Sequence, residues 1–268
     1  MLNEFHDFNI AGATVLKSAI FAFICCSFLS FNAYTKEKVI LDAEDDWAPY
    51  CSKVGDKAEG LAVDINRAIF HAVGINVEFK VVSYAKCIDD VTRKTEVVGC
   101  FDTARNSVNE KNFHWPEDPL FNAKVLIWTR KDFKENNLTY KDLKGKRVGV
   151  TNRYEYGPEF DGGPVGEVTK EASSTNNALF KKLAQFRYDL VVAYEFPAKI
   201  ILNEPGMFRE KAAIKSVGTL SNLELYVSFS KLNPKSAHFL KLYNKGVAII
   251  KRNGTYKKLI NSFEAKYE

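Results

Sequence analysis

Two α/β lobes joined by two strand crossings are expected from this chain. Strands and helices alternate between residues 38 and 101, and the alternation restarts near residue 147. Two strand crossings, near 128–131 and 221–227, carry the chain from one stretch to the other and back. The 268 residues suffice for one large domain or two medium ones. A content of 46% hydrophobic and 26% charged residues is that of a globular protein.

In order, KVILDAED (38–45) is a short apolar run ending in acids, a first strand. LAVDINRAIFHAVG places Leu61, Ile65, Ala68, Ile69, Ala72 and Val73 at helical spacing and closes on Gly74. INVEFKVVS alternates Val77, Phe79 and Val81 as a strand. A helix over 85–94 and a strand over 97–101 follow. The second unit has a strand at RVGVTN, a glycine-rich loop at EYGPEFDGGPVG, a helix at NNALFKKLAQF, and a strand then helix in YDLVVAYEFPAKIIL. LELYVSFSK is another strand, and the tail is helical. Gly157, Gly162, Gly163 and Gly166 are not followed by Gly-Lys-Ser/Thr, so no phosphate loop is expected.

The N-terminus carries SAIFAFICCSFL (18–29), uncharged and apolar, after Lys17. This is a signal-peptide core too short for a spanning helix, so 1–33 is expected to be a leader ending near Ala33, with an uncleaved anchor as the alternative. The mature chain would be periplasmic. Cleavage leaves Cys51, Cys87 and Cys100. Cys51 follows the first strand and Cys87 the second; if those strands are neighbours the two cysteines pair, and Cys100 is the free buried thiol. The four histidines and the cysteines show no metal-ligand spacing, and neither metal nor cofactor is expected. The net charge of +5 is dispersed, which fits solubility and no nucleic-acid partner.

In a parallel sheet, ligands sit beyond the carboxyl ends of the strands. The loops 42–51, 83–88 and 102–106 are therefore the ones to watch, and Arg105 lies in the third. A guanidinium matches a carboxylate by two parallel hydrogen bonds. Trp47 and Tyr50 in the first loop are clamp candidates, with a core role as the alternative for Trp47. Asp45 and Asp46 are either partners for a cation or a solvated loop, and Tyr84 is a candidate wall residue. Thr151, Asn152 and Tyr154 open the loop of the second lobe, where hydroxyl and backbone groups suit the far side of a carboxylate.

Four phrases together resemble one family. They are DDWAPYC with GLAVDINRAIFHAVG, DTARNSVNEKNFHWPEDPLF, DLKGKRVGV, and YDLVVAYEFPA. In this order and spacing they are similar to the extracellular solute-binding proteins of family 3, over about 38–268. The resemblance implies a periplasmic binding protein-like (Venus flytrap) fold, with lobe 1 at 38–128 and 224–268 and lobe 2 at 129–223. It implies a monomer that captures a small polar solute, an amino acid or related compound, in the interlobe cleft by hinge closure. It also implies delivery to an inner-membrane permease of an ABC-type transporter, or alternatively signalling to a membrane sensor. Glu195, ending the phrase YDLVVAYE, is implied as the cap on the ligand's ammonium, opposite Arg105. One departure is visible: a gapless comparison back from HWP puts Asn109, not Arg105, at the family's arginine position. No nucleophile elbow and no Ser/Cys–His pair is present in sequence context, so an enzyme on this fold is the weaker alternative.

Overall fold

The computed structural model describes residues 37–107, 109–163 and 168–267. The expected leader, 1–33, lies outside the described residues. From Glu37 onward the chain forms one compact unit.

β1 (Lys38–Glu44) buries Val39, Leu41 and Ala43. A three-stranded meander follows: β2 (Asp46–Trp47), β3 (Cys51–Val54) and β4 (Lys57–Glu59). α1 (Leu61–Ala72) turns Leu61, Ile65 and Ile69 to the core, and the chain leaves it through Gly74 at φ 79. β5 (Asn76–Val82), α2 (Tyr84–Arg93) and β6 (Gly99–Ala104) complete the first unit. β1 is its middle strand, parallel to both β5 and β6.

β7 (Phe113–His114) and the long β8 (Phe121–Arg130) lead to the second unit. There β9 (Arg147–Thr151), α3 (Pro158–Gly162), β10 (Thr169–Ser173), α4 (Asn176–Ala184), β11 (Leu190–Tyr194), α5 (Glu195–Leu202) and α6 (Phe208–Ala213) succeed one another. β9 is the middle strand, parallel to β10 and β11. β12 (Ile214–Ser230), α7 (Ser236–Arg252) and α8 (Thr255–Tyr267) return the chain to the first unit.

The strands run in one path, β10-β9-β11-β8-β12-β6-β1-β5. β12 pairs antiparallel with β8 from Ile214↔Arg130 to Leu225↔Phe121, then with β6 from Leu225↔Ala104 to Phe229↔Gly99. The ribbon of β8 and β12 thus joins two parallel α/β sheets, each covered by its own helices. This is the two-lobed α/β architecture expected.

Several details differ from expectation. The meander and β10 were not legible as strands, β12 begins at Ile214, well before the expected 223, and α3 lies inside the glycine-rich stretch. The expected Cys51–Cys87 bridge is corrected: Cys87 bonds Cys100, with Cα atoms 5.7 Å apart, and Cys51 is the free buried thiol. β1 and β5 are indeed neighbours, but the meander turns Cys51 inward, where its Sγ–H donates to the Glu44 carbonyl at 3.0 Å. α2 runs on into β6, and its Cys87 faces that strand within one apolar cluster containing Val91, Val97 and Cys100. Among the described residues no helix is long and apolar enough to cross a membrane.

Candidate functional site

In an open parallel sheet the crevice forms where crossovers leave the middle strand in opposite directions. Here that happens twice, at the carboxyl end of β1 and at that of β9. Glu44 ends β1 and Thr151 ends β9, and both line one cavity of about 640 Å³. Asp45, Asp46, Tyr84 and Asn176 join them, and Lys53 is the cation of that lining. Burial pushes the Glu44 carboxyl well above its usual range, against the pull of the Tyr154 hydroxyl. Burial, with Asp45 beside it, raises Asp46 to about 6. The chamber is acidic on the β1 side and hydroxyl- and amide-lined on the β9 side.

A second cavity of about 460 Å³ lies against the same wall, lined by Asp89, Arg93, Asn109, Arg153 and Glu155 among others, and Tyr154 borders both. The wall is built from two crossed pairs. Tyr154, from the second unit, donates its hydroxyl to Glu44 Oε1 of the first. Tyr84, from the first unit, donates to Glu155 Oε2 of the second at 2.7 Å. The two rings meet edge to face with centroids 5.3 Å apart. Asn109 Nδ2 donates to Glu155 Oε1 at 3.4 Å, and Tyr194 donates to the Glu155 carbonyl at 2.7 Å. Enclosure of the Glu155 carboxyl raises it to about 8, although Tyr84 favours the anion. Arg153 adds an ion pair to Asp89 at 3.0 Å. Three consecutive residues, 153–155, therefore each grip the first unit.

Beneath this wall, the β1–β6 register pairs Asp42 with Cys100, and continuing it sets Glu44 level with Asp102. Asp102 adopts φ 67, is buried, and its carboxyl oxygens have no hydrogen-bond partner. Burial holds its pKa well above the ordinary carboxylate value.

Of the residues singled out from the sequence, Thr151 and Tyr154 meet in the first chamber, together with Asp45, Asp46 and Tyr84. Trp47 and Tyr50 are 2% and 3% exposed and belong to an aromatic core, Trp47 against Tyr194 at 5.0 Å and Tyr50 against Phe121 at 4.8 Å. Arg105 lies outside both chambers: its guanidinium bonds Glu110 and sits 5.9 Å from the Trp115 ring. It lines a separate open cavity of about 620 Å³ beside β12, with Glu224 and Tyr226. Glu195 begins α5, and its carboxylate meets Lys199 at 2.7 Å and Lys124 at 3.4 Å, which hold its pKa below the ordinary value against the opposing effect of burial. Sequence reasoning passed over Glu44 and Glu155. The available signal was positional: an acid at the end of the first strand, and an acid between the two tyrosines of YEY.

Comparison with known proteins agrees with this architecture. The arginine-binding extracellular protein ArtP of Bacillus subtilis (strain 168) is 27% identical over 126 residues, 47% of this chain and 48% of that protein. The chain thus spans about half the length of the curated relative it matches. A histidine kinase sensor domain with similarity to periplasmic binding proteins superposes at TM-score 0.71 with 18% identity, over 87% of this chain and 96% of that one. An ancestral arginine-binding protein bound to arginine superposes at 0.69 with 22% identity, over 85% and 99%. A variant of ArgBP from T. maritima does so at 0.69 with 19% identity, over 85% and 95%. At these identities the solved structures speak to the fold alone. The sequence profile of the bacterial extracellular solute-binding proteins, family 3, matches residues 39–265. The chain therefore belongs to the bacterial extracellular solute-binding proteins of family 3.

Proposed function

We propose that this protein captures a small cationic solute, an amino acid or a related amine, in the cleft between its lobes and presents it to a membrane partner. The observation that carries the reading is the acidic chamber where both switch points meet, with Glu44, Asp45 and Asp46 against Lys53. Charge of that sign favours a cation, and the Tyr84 and Tyr154 rings offer it aromatic surface. The arginine-binding relative points to the same class of solute. The lobes are 38–128 with 224–268, and 129–223, hinged on β8 and β12. The protein is exported by its leader to the periplasm and acts as a monomer, and its partner is a transporter permease or a sensor.

The test is a thermal-shift and calorimetry screen at pH 7 with cationic, neutral and acidic solutes. A ligand at 100 times its dissociation constant adds about 2.7 kcal/mol of stability. Cationic solutes are expected to raise the melting temperature, and Asp46→Asn with Glu44→Gln to abolish the rise. Equal stabilisation by neutral or acidic solutes, or none by any cation, overturns the reading.

A further inference from the structure

We infer that Glu155 is a specificity-determining residue that, with Glu44 across the Tyr154 wall, selects solutes positive at both ends and lacking an α-carboxylate: diamines and guanidinoalkylamines. This rests on the reading above that the cleft takes a cation, and narrows it.

The argument is an inventory of donors. A ligand carboxylate needs N–H or O–H groups, or a cation, aimed into the cleft. The loop after β9 is where the second lobe would supply them, and six of its donors are already engaged. The Thr151 N–H donates to the Tyr156 hydroxyl at 2.7 Å and the Thr151 hydroxyl to Asn176 Oδ1 at 2.7 Å. The Asn152 N–H goes to the Ser173 carbonyl and the Tyr154 N–H to the Thr151 carbonyl. The N–H groups of Tyr156 and Gly157 both point at Asp161 Oδ2, at 2.9 and 3.0 Å. An internal carboxylate therefore already fills the anion-binding turn of this loop. Arg105 is turned outward to Glu110, Arg153 is committed to Asp89, and Lys53 lines the first chamber together with three acids, Glu44, Asp45 and Asp46.

What the loop presents instead is an acid. Glu155 lines the second chamber, and Tyr84 and Asn109 hold its carboxyl in place. Glu44 faces the first chamber, and Tyr154 stands between the two. A chain with a nitrogen cation at each end, reaching past the Tyr154 ring, would satisfy both acids, whereas an α-carboxylate cannot exchange for the Glu155 proton and finds the loop donors named above already taken. Around Glu155 the charged and titratable groups are Tyr84 and Asp89 from α2, Arg93 at the rim, Arg153, Tyr156 and Tyr194, and Asp161 and Lys170 beyond them. Lys170 is engaged by the Phe160 carbonyl. Because Glu155 is raised to about 8, a cation arriving at pH 7 would displace its proton.

The test is isothermal titration calorimetry of the purified chain at pH 7 with three pairs differing only by the α-carboxylate: agmatine and arginine, putrescine and ornithine, cadaverine and lysine. At least one decarboxylated member is expected to bind about tenfold or more tighter than its partner, a difference of about 1.4 kcal/mol. Its heat should vary with the ionisation enthalpy of the buffer, reporting release of roughly one proton. Glu155→Gln, which keeps one acceptor oxygen for the 2.7 Å bond from Tyr84 and gives up the longer one from Asn109, should change the melting temperature little, erase the preference and remove the proton release. If carboxylated members bind equally or tighter, the start of α4 or the rim cation Arg93 takes the carboxylate and the inference falls while the cation reading survives. If the preference survives in Glu155→Gln, Glu155 is not its source. If none of the six compounds binds, both readings fall.

Discussion

Asp102 holds a buried carboxyl with no partner on a residue at φ 67, a left-handed conformation that side chains other than glycine seldom adopt. Its folded pKa lies well above the unfolded value of about 3.9, so between the two pH values the folded state keeps a proton that the unfolded state releases. Stability contributed by the neutral acid is present at low pH and lost as pH rises through that window. Asp102→Asn keeps the shape without the titration. It should be more stable than the parent at pH 8 and show no gain at pH 4 in denaturant unfolding; equal curves at pH 8 would count against this account. Tyr154→Phe removes the hydroxyl that reaches Glu44. It should lower stability by about 1–2 kcal/mol, and a double-mutant cycle with Glu44→Gln should show coupling. At this scale the sequence was legible for residue type but not for direction. Arg105 does end up beyond the carboxyl-terminal half of β6, as its loop implied, yet Glu110 five residues on supplies a local carboxylate and Trp115 a ring, and the pair turns the side chain to the surface. Trp47 ends β2, next in sequence to the chamber residues Asp45 and Asp46, but burial of its large apolar area among Tyr50, Phe121 and Tyr194 outweighs exposure to a cleft.

Among the elements, periodicity made β1, α1, β5, α2 and β9 readable to within a residue or two, because each buries one stripe or both faces against a neighbour. The meander β2–β4 and β10 escaped because each strand buries a single residue, Trp47, Cys51, Ala58 and Ser173 in turn, which is too little to leave an alternation. The disulfide was misassigned for a topological reason: β1 has a neighbour on each side, and the helix preceding β6 covers β6. That bridge spans 13 residues. Its reduction should cost about 3 kcal/mol by the loop-entropy relation, checked by denaturant unfolding with and without reductant; an unchanged midpoint would assign the element's stability to packing alone. Gly246 marks the closest approach of α7 to α1, where an added Cβ would lie 2.4 Å from the Ile69 carbonyl oxygen. Gly246→Ala should force the helices apart and cost about 1–3 kcal/mol, visible as a lower melting temperature.

For the molecule as a whole, residues 153–155 and their partners Asp89, Glu44 and Tyr84 are the ties across the cleft. On the proposed hinge motion, burial raises the carboxyls of Glu44 and Glu155 in the enclosed state, and opening would return them to water and let them ionise. Closure therefore takes up protons, and the closed population of the unliganded protein should grow as pH falls from about 8 towards the ordinary carboxylate range of about 4.3. Small-angle scattering across that range is the check: a radius of gyration that stays constant, or rises on acidification, would sink the idea. The route of the chain has a further consequence, for its biosynthesis. β6 is laid down before residue 105, but the strand that covers its outer edge, β12, and the helix that crosses α1, α7, are made only after residue 213. A nascent or truncated chain ending in the second lobe thus carries a finished guest domain on an unfinished host, with an open β-edge that invites pairing between molecules. The proposed export across a membrane would require the edge to be kept apart from its copies until the last fifth or so of the chain arrives.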